Sequence, residues 1–453
     1  MAIHPPILYI GYVGLVLPFV IATSELINKN KNEEWIKIAE KSTYMPWVFL
    51  TAGISLGAAW SYEVLGWGGY WAWDPVENVS FIPWLLATAF LHSAKTQIKE
   101  FTLLNWNYAL SCLMFLSVIF GTFITRSGVL ISVHAFSNGN IGTYLIIGLT
   151  FFTLLFLIIG IKNIEYFQSS SKVTNFFGRT GFFVANNLLL AGSAIVVFIG
   201  TIYPLFYETI YSKQITIGRS FYDILVGPIL LLLIYLMIFS TKITKNNLKI
   251  TSWLEENYFE INLSIILSII FTFFFRSSFK FAITVLGSIL LVVIIGKNIL
   301  NKAKKTKLQG SYWTGQIAHL GIGIFAIGLI MNVSQSYSNE LIISSGDTIQ
   351  FGNQEFNILN PNEVQKKEKN VINLPIQKNN STKNASLNIF KNSTQQAISS
   401  PAVFRNLESD TYITIKVIDD DNFKLIFRKN YGIFIIWLGL AISSLSFISR
   451  LKR

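Results

Sequence analysis

Charge and cysteine are what this chain has least of. Of its 453 residues only 13% are Asp, Glu, Lys or Arg, and Cys112 is the one cysteine. A single thiol excludes an internal disulfide, a CxxC dithiol and covalent CxxCH attachment of a prosthetic group. Histidine is scarce as well, with four in all, and no acidic metal cluster stands out. No repeat of fixed period is visible. The start, Met1 followed by His4-Pro5-Pro6 and an apolar run, leads us to expect no cleavable signal peptide.

What remains is apolar: 52% of the residues are hydrophobic. A hydrocarbon core of about 30 Å takes about 20 apolar residues per helical span. The composition therefore predicts an all-α polytopic membrane protein. Eleven spans are expected near 7–28, 44–62, 79–97, 104–125, 142–161, 182–203, 222–241, 258–275, 279–296, 313–333 and 431–449. Loops 29–43, 98–103, 162–181, 242–257 and 297–312 and the tail 450–453 are rich in Lys and Arg, whereas 126–141, 204–221 and 276–278 carry few. By the positive-inside rule the first set faces inward, to cytoplasm or matrix. The net charge of +12 is thus topological, and nucleic-acid binding is not expected. One large outer loop, 334–430, shows strand-length segments at Glu340–Ile343, Thr348–Phe351 and Tyr412–Ile418, with turn signals at Gly346-Asp347 and Asp419–Asp421. We expect a small β-rich domain there, with a floppy, Lys/Asn/Ser/Gln-rich insertion near 362–400. The chain accordingly divides into 1–62 (two helices), 63–84 (outer loop), 85–333 (helical core), 334–430 (outer domain) and 431–453 (last helix and basic tail).

The densest signal is 60–84, W-S-Y-E-V-L-G-W-G-G-Y-W-A-W-D-P-V-E-N-V-S-F-I-P-W. Five of the eleven tryptophans lie here: Trp60, Trp67, Trp71, Trp73 and Trp84. One reading is an interfacial aromatic belt, because Trp keeps its ring buried while its N–H reaches water. The other is a flat wall for a large planar ligand, which the crowding around Gly68-Gly69 and Asp74-Pro75 favours. The histidines fall at two depths. His92 is about a dozen residues into its span from outside, and His319 about seven from inside, which sets the two level at 1.5 Å per residue. His4 and His134 both lie at the outer face with the Trp-rich stretch. Imidazole left alone in lipid is costly, so the buried pair is either hydrogen-bonded structurally or ligates a metal as bis-His.

The run W-G-G-Y-W-A-W-D-P-V-E-N-V-S-F-I-P-W resembles the WWD motif of haem-handling proteins in cytochrome c biogenesis. The flanking runs I-H-P-P-I-L-Y-I-G-Y-V-G, F-L-H-S-A, T-R-S-G-V-L-I-S-V-H-A-F and W-T-G-Q-I-A-H-L-G narrow the resemblance to the CcmF family, haem lyase subunits of System I. It covers essentially the whole chain and is weakest at 362–400. The resemblance implies that His4 and His134 ligate substrate haem over a platform including Trp67, Trp71, Trp73, Asp74, Pro75, Glu77 and Trp84. It implies that His92 and His319 are axial ligands of a transmembrane haem b, the reductant. It further implies haem delivery by a CcmE-type chaperone, transfer to the CxxCH thiols of apocytochrome c, and CcmH/CcmI-type partners. Family members usually carry further spans before the residues matching His4, so a separate N-terminal CcmF polypeptide is an expected partner. Split versions occur in mitochondrial genomes, which agrees with the Asn/Lys bias and suggests the mitochondrial inner membrane; the bacterial inner membrane is the alternative.

The residues support this reading on their own terms. Two histidines and an aromatic floor hold and orient a macrocycle, which is catalysis by proximity. Asp74 and Glu77 either orient a histidine or cap a helix, and Arg126 meets either a haem propionate or a lipid headgroup. Two other functions stay open: a haem exporter of the WWD type without bond formation, and an electron-transferring cytochrome b using only the buried pair. The large outer domain favours the lyase over the first, and the Trp-rich stretch favours it over the second.

Overall fold

The computed structural model describes residues 3–28, 34–130, 140–168, 178–240, 250–275, 281–303, 310–391, 397–417 and 422–446. His134 lies outside the described residues, as does the turn signal at Asp419–Asp421.

Apolar runs of span length can satisfy their backbone in lipid only as helices, and the expected spans fall on helices, although not all eleven of them are long and apolar enough to cross a membrane. Helices α1 (His4–Gly14) and α2 (Val16–Asn28) form one span interrupted at Leu15. Next come α3 (Glu34–Val64), α4 (Pro75–Glu100), α5 (Leu104–Ser127), α6 (Ile141–Lys162), the short α7 (Ile164–Gln168), α8 (Arg179–Tyr211) and α9 (Arg219–Ser240). Helices α10 (Ile250–Glu256) and α11 (Tyr258–Phe274) meet at 72°, and α12 (Ala282–Ala303) and α13 (Gly310–Gln335) complete the block before the outer domain. Among the described residues seven helices are long and apolar enough to cross a membrane, or eight with the bent pair. Helices α3 and α4 are outside that set. They instead bury a run of polar side chains, including Thr51, Ser61, Asn78 and Gln97. By contrast α6 exposes apolar residues such as Ile147, Phe151 and Ile158, as a lipid-facing helix must. The main helical core joins Leu15, Ile36, Leu50, Phe90, Leu104 and Val226, so it ties α1 to α9.

The β-rich domain consists of β1 (Tyr337–Ser344), β2 (Thr348–Phe351), β3 (Gln354–Ile358), β4 (Asn362–Gln365), β5 (Lys369–Lys378), β6 (Ser381–Phe390), β7 (Ile398–Ser400), β8 (Ala402–Phe404), β9 (Ser409–Val417) and β10 (Asn422–Tyr431). They form a four-stranded sheet, β1-β10-β9-β8, and a second sheet, β2-β3-β5-β6-β7 with β4 on β5. The paired strands are antiparallel, and Phe356, Leu374, Ile413, Phe423, Leu425 and Phe427 share one core between the sheets. Here the structure corrects an expectation: most of 362–400 is not a floppy insertion but β4 to β7. Its polar composition belongs to the solvated faces, while Leu374, Ile376 and Ala385 point into the core. The β5–β6 hairpin closes through Asn379 at φ +51°, a conformation that Asn adopts more readily than most residues.

The domain hangs between two helices. Ser336 alone separates α13 from β1, and Gly432 alone separates β10 from α14 (Ile433–Ser446). Helices α13 and α14 pack backbone to backbone. A Cβ on Gly439 would sit 2.6 Å from the Gly321 carbonyl, so only glycine allows that approach. Both stems of the domain are thereby fixed.

Candidate functional site

The Trp-rich loop is built from its C-terminal end, where α4 begins. Asp74 caps the helix by accepting the Val76 N–H at 3.0 Å, and Pro75 occupies the first helical position. Glu77 closes a capping box: its Oε2 accepts the N–H groups of Ala72 (2.9 Å) and Asp74 (3.4 Å). Of the two roles considered for these carboxylates, helix capping is the one seen. Glu77 lies ahead of the apolar stretch of α4, and burial pushes its carboxyl up to about 8. Its Oε1 is buried with no hydrogen-bond partner, which fits a carboxyl that holds its proton.

From this cap a ladder of rings descends along α4. Trp73, held at φ +58°, stacks on Tyr222 of α9 with ring centres 4.4 Å apart and planes at 7°. Asn78 pins both, donating to the Trp73 carbonyl and to the Tyr222 hydroxyl. Trp71 stands edge-on to Trp73 at 6.1 Å. Phe81 lies 6.4 Å from Trp73 and stacks on Trp84 at 5.6 Å, and Trp84 stacks on Trp47 of α3 at 5.9 Å. The indoles do not waste their N–H groups: Trp84 donates to Thr51 and Trp47 to Thr88, each at 2.8 Å. Pairs of this kind contribute about 0.5–1.5 kcal/mol each beyond their buried area. Tyr222 and Trp47 were not singled out in the sequence. Tyr222 had one usable signal, an aromatic residue at the outer end of its span.

At the foot of the ladder the Thr88 carbonyl accepts from His92 Nδ1 at 2.7 Å. A carbonyl cannot donate, so Nδ1 carries the proton and Nε2 keeps its lone pair. The structure brings His92 and His319 together: their ring centres lie 6.1 Å apart with planes at 24°. Two imidazoles sharing one metal ion through bonds of about 2.0–2.1 Å place their ring centres about 6 Å apart. The pair fits a bis-His metal, with Phe183 of α8 beside His92 as an apolar wall.

His4 opens α1 and lies against α3. Its Nδ1 is 2.7 Å from the Gly53 carbonyl, which again leaves Nε2 as the lone-pair nitrogen. Gly57 permits this seat, because a Cβ there would lie 2.5 Å from His4 Cε1. Arg126, in the last turn of α5, reaches Tyr9 of α1 at 3.4 Å.

The outer domain grips the other end of the loop, a feature no motif announced. The Tyr412 hydroxyl donates to the Leu65 carbonyl (2.5 Å) and accepts the Gly68 N–H (3.2 Å). Asn430 donates to the Gly68 carbonyl and to the Tyr62 hydroxyl, both at 3.1 Å, and Tyr62 donates to Asp410 at 3.2 Å. Trp67 rides on this turn, its N–H bonded to the Leu65 carbonyl. Gly68 is required twice over, by its φ of +84° and by Arg428, whose Cδ lies 2.7 Å from where a Cβ would be. Burial pushes the Tyr412 phenol up to about 12, so it stays neutral and serves as both donor and acceptor. Arg405 pairs with Glu63 across the same junction.

Comparison with known proteins gives a consistent picture. The family described as Cytochrome C assembly protein matches residues 1–131, which include the loop, His4 and His92. Over 378 residues the chain is 32% identical to the cytochrome c-type biogenesis protein CcmF of Escherichia coli K12, covering 80% of this chain and 56% of that protein. Over 224 residues it is 41% identical to the cytochrome c-type biogenesis protein ccl1 of Rhodobacter capsulatus, covering 49% and 34% respectively. A solved structure titled Cytochrome c Heme Lyase CcmF shares the fold with a TM-score of 0.81 at 22% identity, over 100% of this chain and 72% of that one. The chain spans about half the length of the curated relatives it matches.

Proposed function

From the premise that this chain belongs to the CcmF-type family of cytochrome c biogenesis proteins, we propose that it serves as the haem-holding part of a cytochrome c haem lyase in an inner membrane. The single observation that carries this reading is the His92–His319 pair, with 6.1 Å between rings and His92 Nδ1 already committed to a carbonyl. A metal-ligating histidine is ordinarily oriented in this way by its second nitrogen.

In this reading His92 and His319 hold haem b between α4 and α13. Bound there, haem b would supply a one-electron couple for keeping the substrate iron ferrous. The substrate haem, delivered by a CcmE-type chaperone, lies at the outer face with His4 and His134 as ligands and the Trp71–Trp73 wall beneath it. His4 presents Nε2 because Gly53 holds Nδ1. Thioether bonds then form as two cysteine thiols of apocytochrome c add across the haem vinyl groups. The chain's part is to hold the ring, keep one edge accessible and release iron to the product's own histidine. CcmH/CcmI-type subunits and a polypeptide supplying the rest of the family's length are the partners this reading expects. The Asn/Lys bias supports the mitochondrial inner membrane in this reading, whereas the relatives named above are bacterial.

The test compares the purified protein with His92→Ala and His319→Ala by reduced-minus-oxidised absorption and pyridine haemochrome. We expect a low-spin haem b that either substitution abolishes; unchanged haem stoichiometry in both would sink the axial assignment. His4→Ala and His134→Ala should keep that spectrum and block cytochrome c maturation.

A further inference from the structure

We propose that the ring ladder on α4 is the electron bridge between the Trp-rich loop and the buried histidine pair, with Phe81 and Trp84 as its rungs. The proposal rests on the bis-His reading above and adds the route by which a buried redox couple reaches the Trp71–Trp73 wall. Three observations carry it.

The first is register. Phe81, Trp84, Thr88 and His92 are spaced by three, four and four residues, which sets them in one stripe along α4. Between Glu77 and Gln97 only these four and Lys95 are half-buried, and every other residue of that stretch is buried. The stripe is therefore the one side of an otherwise enclosed helix against which a flat ligand can lie. The second is continuity. Both indoles of the wall meet Phe81, Trp71 at 6.0 Å and Trp73 at 6.4 Å between ring centres. Phe81 stacks on Trp84, and Trp84 on Trp47. The Trp47 N–H then meets the Thr88 hydroxyl at 2.8 Å, and the carbonyl of the same threonine accepts from His92 Nδ1 at 2.7 Å. From indole wall to imidazole, each step is a ring contact, a hydrogen bond or the covalent frame of one residue. The third is the chemistry of the rungs. Electron tunnelling falls steeply across gaps and less steeply across touching π-systems and hydrogen bonds. Indole and phenyl rings give up an electron only at potentials far above a haem couple, so the rungs bridge without being oxidised. One electron leaves a ferrous iron at the histidine pair and reduces a ferric iron at the wall, and no proton or bond changes place. The competing role of the ladder is packing alone.

The full chain, loaded with iron protoporphyrin IX in nanodiscs, carries Gly69→Cys labelled with a ruthenium polypyridyl photosensitiser. A Cβ at Gly69 meets nothing closer than 3.8 Å, and Cys112 is buried, so one thiol takes the label. A laser flash reduces the buried ferric haem, and the rise of its ferrous band is timed. Tunnelling through a bridge couples its two ends equally in either direction, so an inward electron reports on the outward route. A second series carries the label at Lys99→Cys in the last turn of α4, on the far side of His92 from the ladder. From Gly69, Phe81→Leu and Trp84→Leu should each slow reduction several-fold and together slow it further, while Phe81→Tyr keeps the wild-type rate. From Lys99 every rate should stay unchanged, as should the low-spin spectrum and the midpoint potential. Unchanged rates from Gly69 would overturn the proposal. Equal slowing from both labels would overturn it too, by assigning the effect to the haem seat. A wild type without a low-spin spectrum, or a spectrum kept in His92→Ala, would overturn the bis-His reading and the bridge with it.

Discussion

Glu77 shows how one side chain couples the helix cap to the ring wall above it. Its carboxylate closes the capping box of α4, and burial raises it from the ordinary 4.5 to about 8. The folded state therefore keeps a proton that the unfolded chain has lost. The stabilisation from that proton is complete below about 4.5 and disappears as pH rises through about 8. We expect the thermal midpoint and tryptophan fluorescence of the detergent-solubilised protein to drift across this window. Glu77→Gln should flatten the drift; an undiminished drift in the variant would assign it to another group. At the same scale, His4 and His92 obey one rule. Each commits Nδ1 to a backbone carbonyl, so in each the lone pair sits on Nε2.

At the scale of elements, the β-rich domain acts as a clamp on the loop. Strands β9 and β10 present Tyr412 and Asn430 to the turn at Leu65–Gly68, while α4 and α9 hold the far end through Asn78 and Tyr222. The Trp-bearing segment is thus tied at both ends by elements distant in sequence. Tyr412→Phe removes the acceptor for the Gly68 N–H and one of the two donors to the Leu65 carbonyl, which keeps the Trp67 N–H; the buried Gly68 N–H left without its acceptor costs about 1–3 kcal/mol. Amide hydrogen exchange over 65–72 should rise in that variant while exchange in the β5–β6 hairpin stays unchanged. Equal exchange in the loop would mean that the clamp contributes nothing to its order.

At the scale of the whole molecule, the topology expected from loop charge is directly measurable. Cys112 is the one cysteine and is buried, so introduced thiols report alone. In sealed vesicles exposing the outer face, Lys366→Cys in the β-rich domain should react with a membrane-impermeant maleimide. Lys99→Cys, at the inner end of α4, should react only after permeabilisation. The reverse pattern would invert every assignment of inner and outer made above. The two depths of histidine depend on the same frame: His4 is seated where α1 begins, and His92 meets His319 within the bundle.

Much of this was legible before any coordinates. Hydrophobic runs of span length must become helices in lipid, so the helices of the membrane block could be read from the sequence, and the alternating Lys/Arg content of the loops gives the orientation that the labelling experiment tests. The depth of His92 and His319 followed from a fixed rise per residue. Three things needed the tertiary structure, because each depends on contacts between remote segments. Polar composition over 362–400 looked like disorder, yet β5 and β6 bury their alternate apolar residues against strands far along the chain. Asp74 and Glu77 looked equally suited to ligand chemistry and to capping, and the capping hydrogen bonds to Val76 and Ala72 became visible only in the fold. Tyr222, Tyr412 and Asn430 carry no motif at all. Their importance lies in what the fold places beside them: one indole and one glycine peptide, held where a loop alone would not stay.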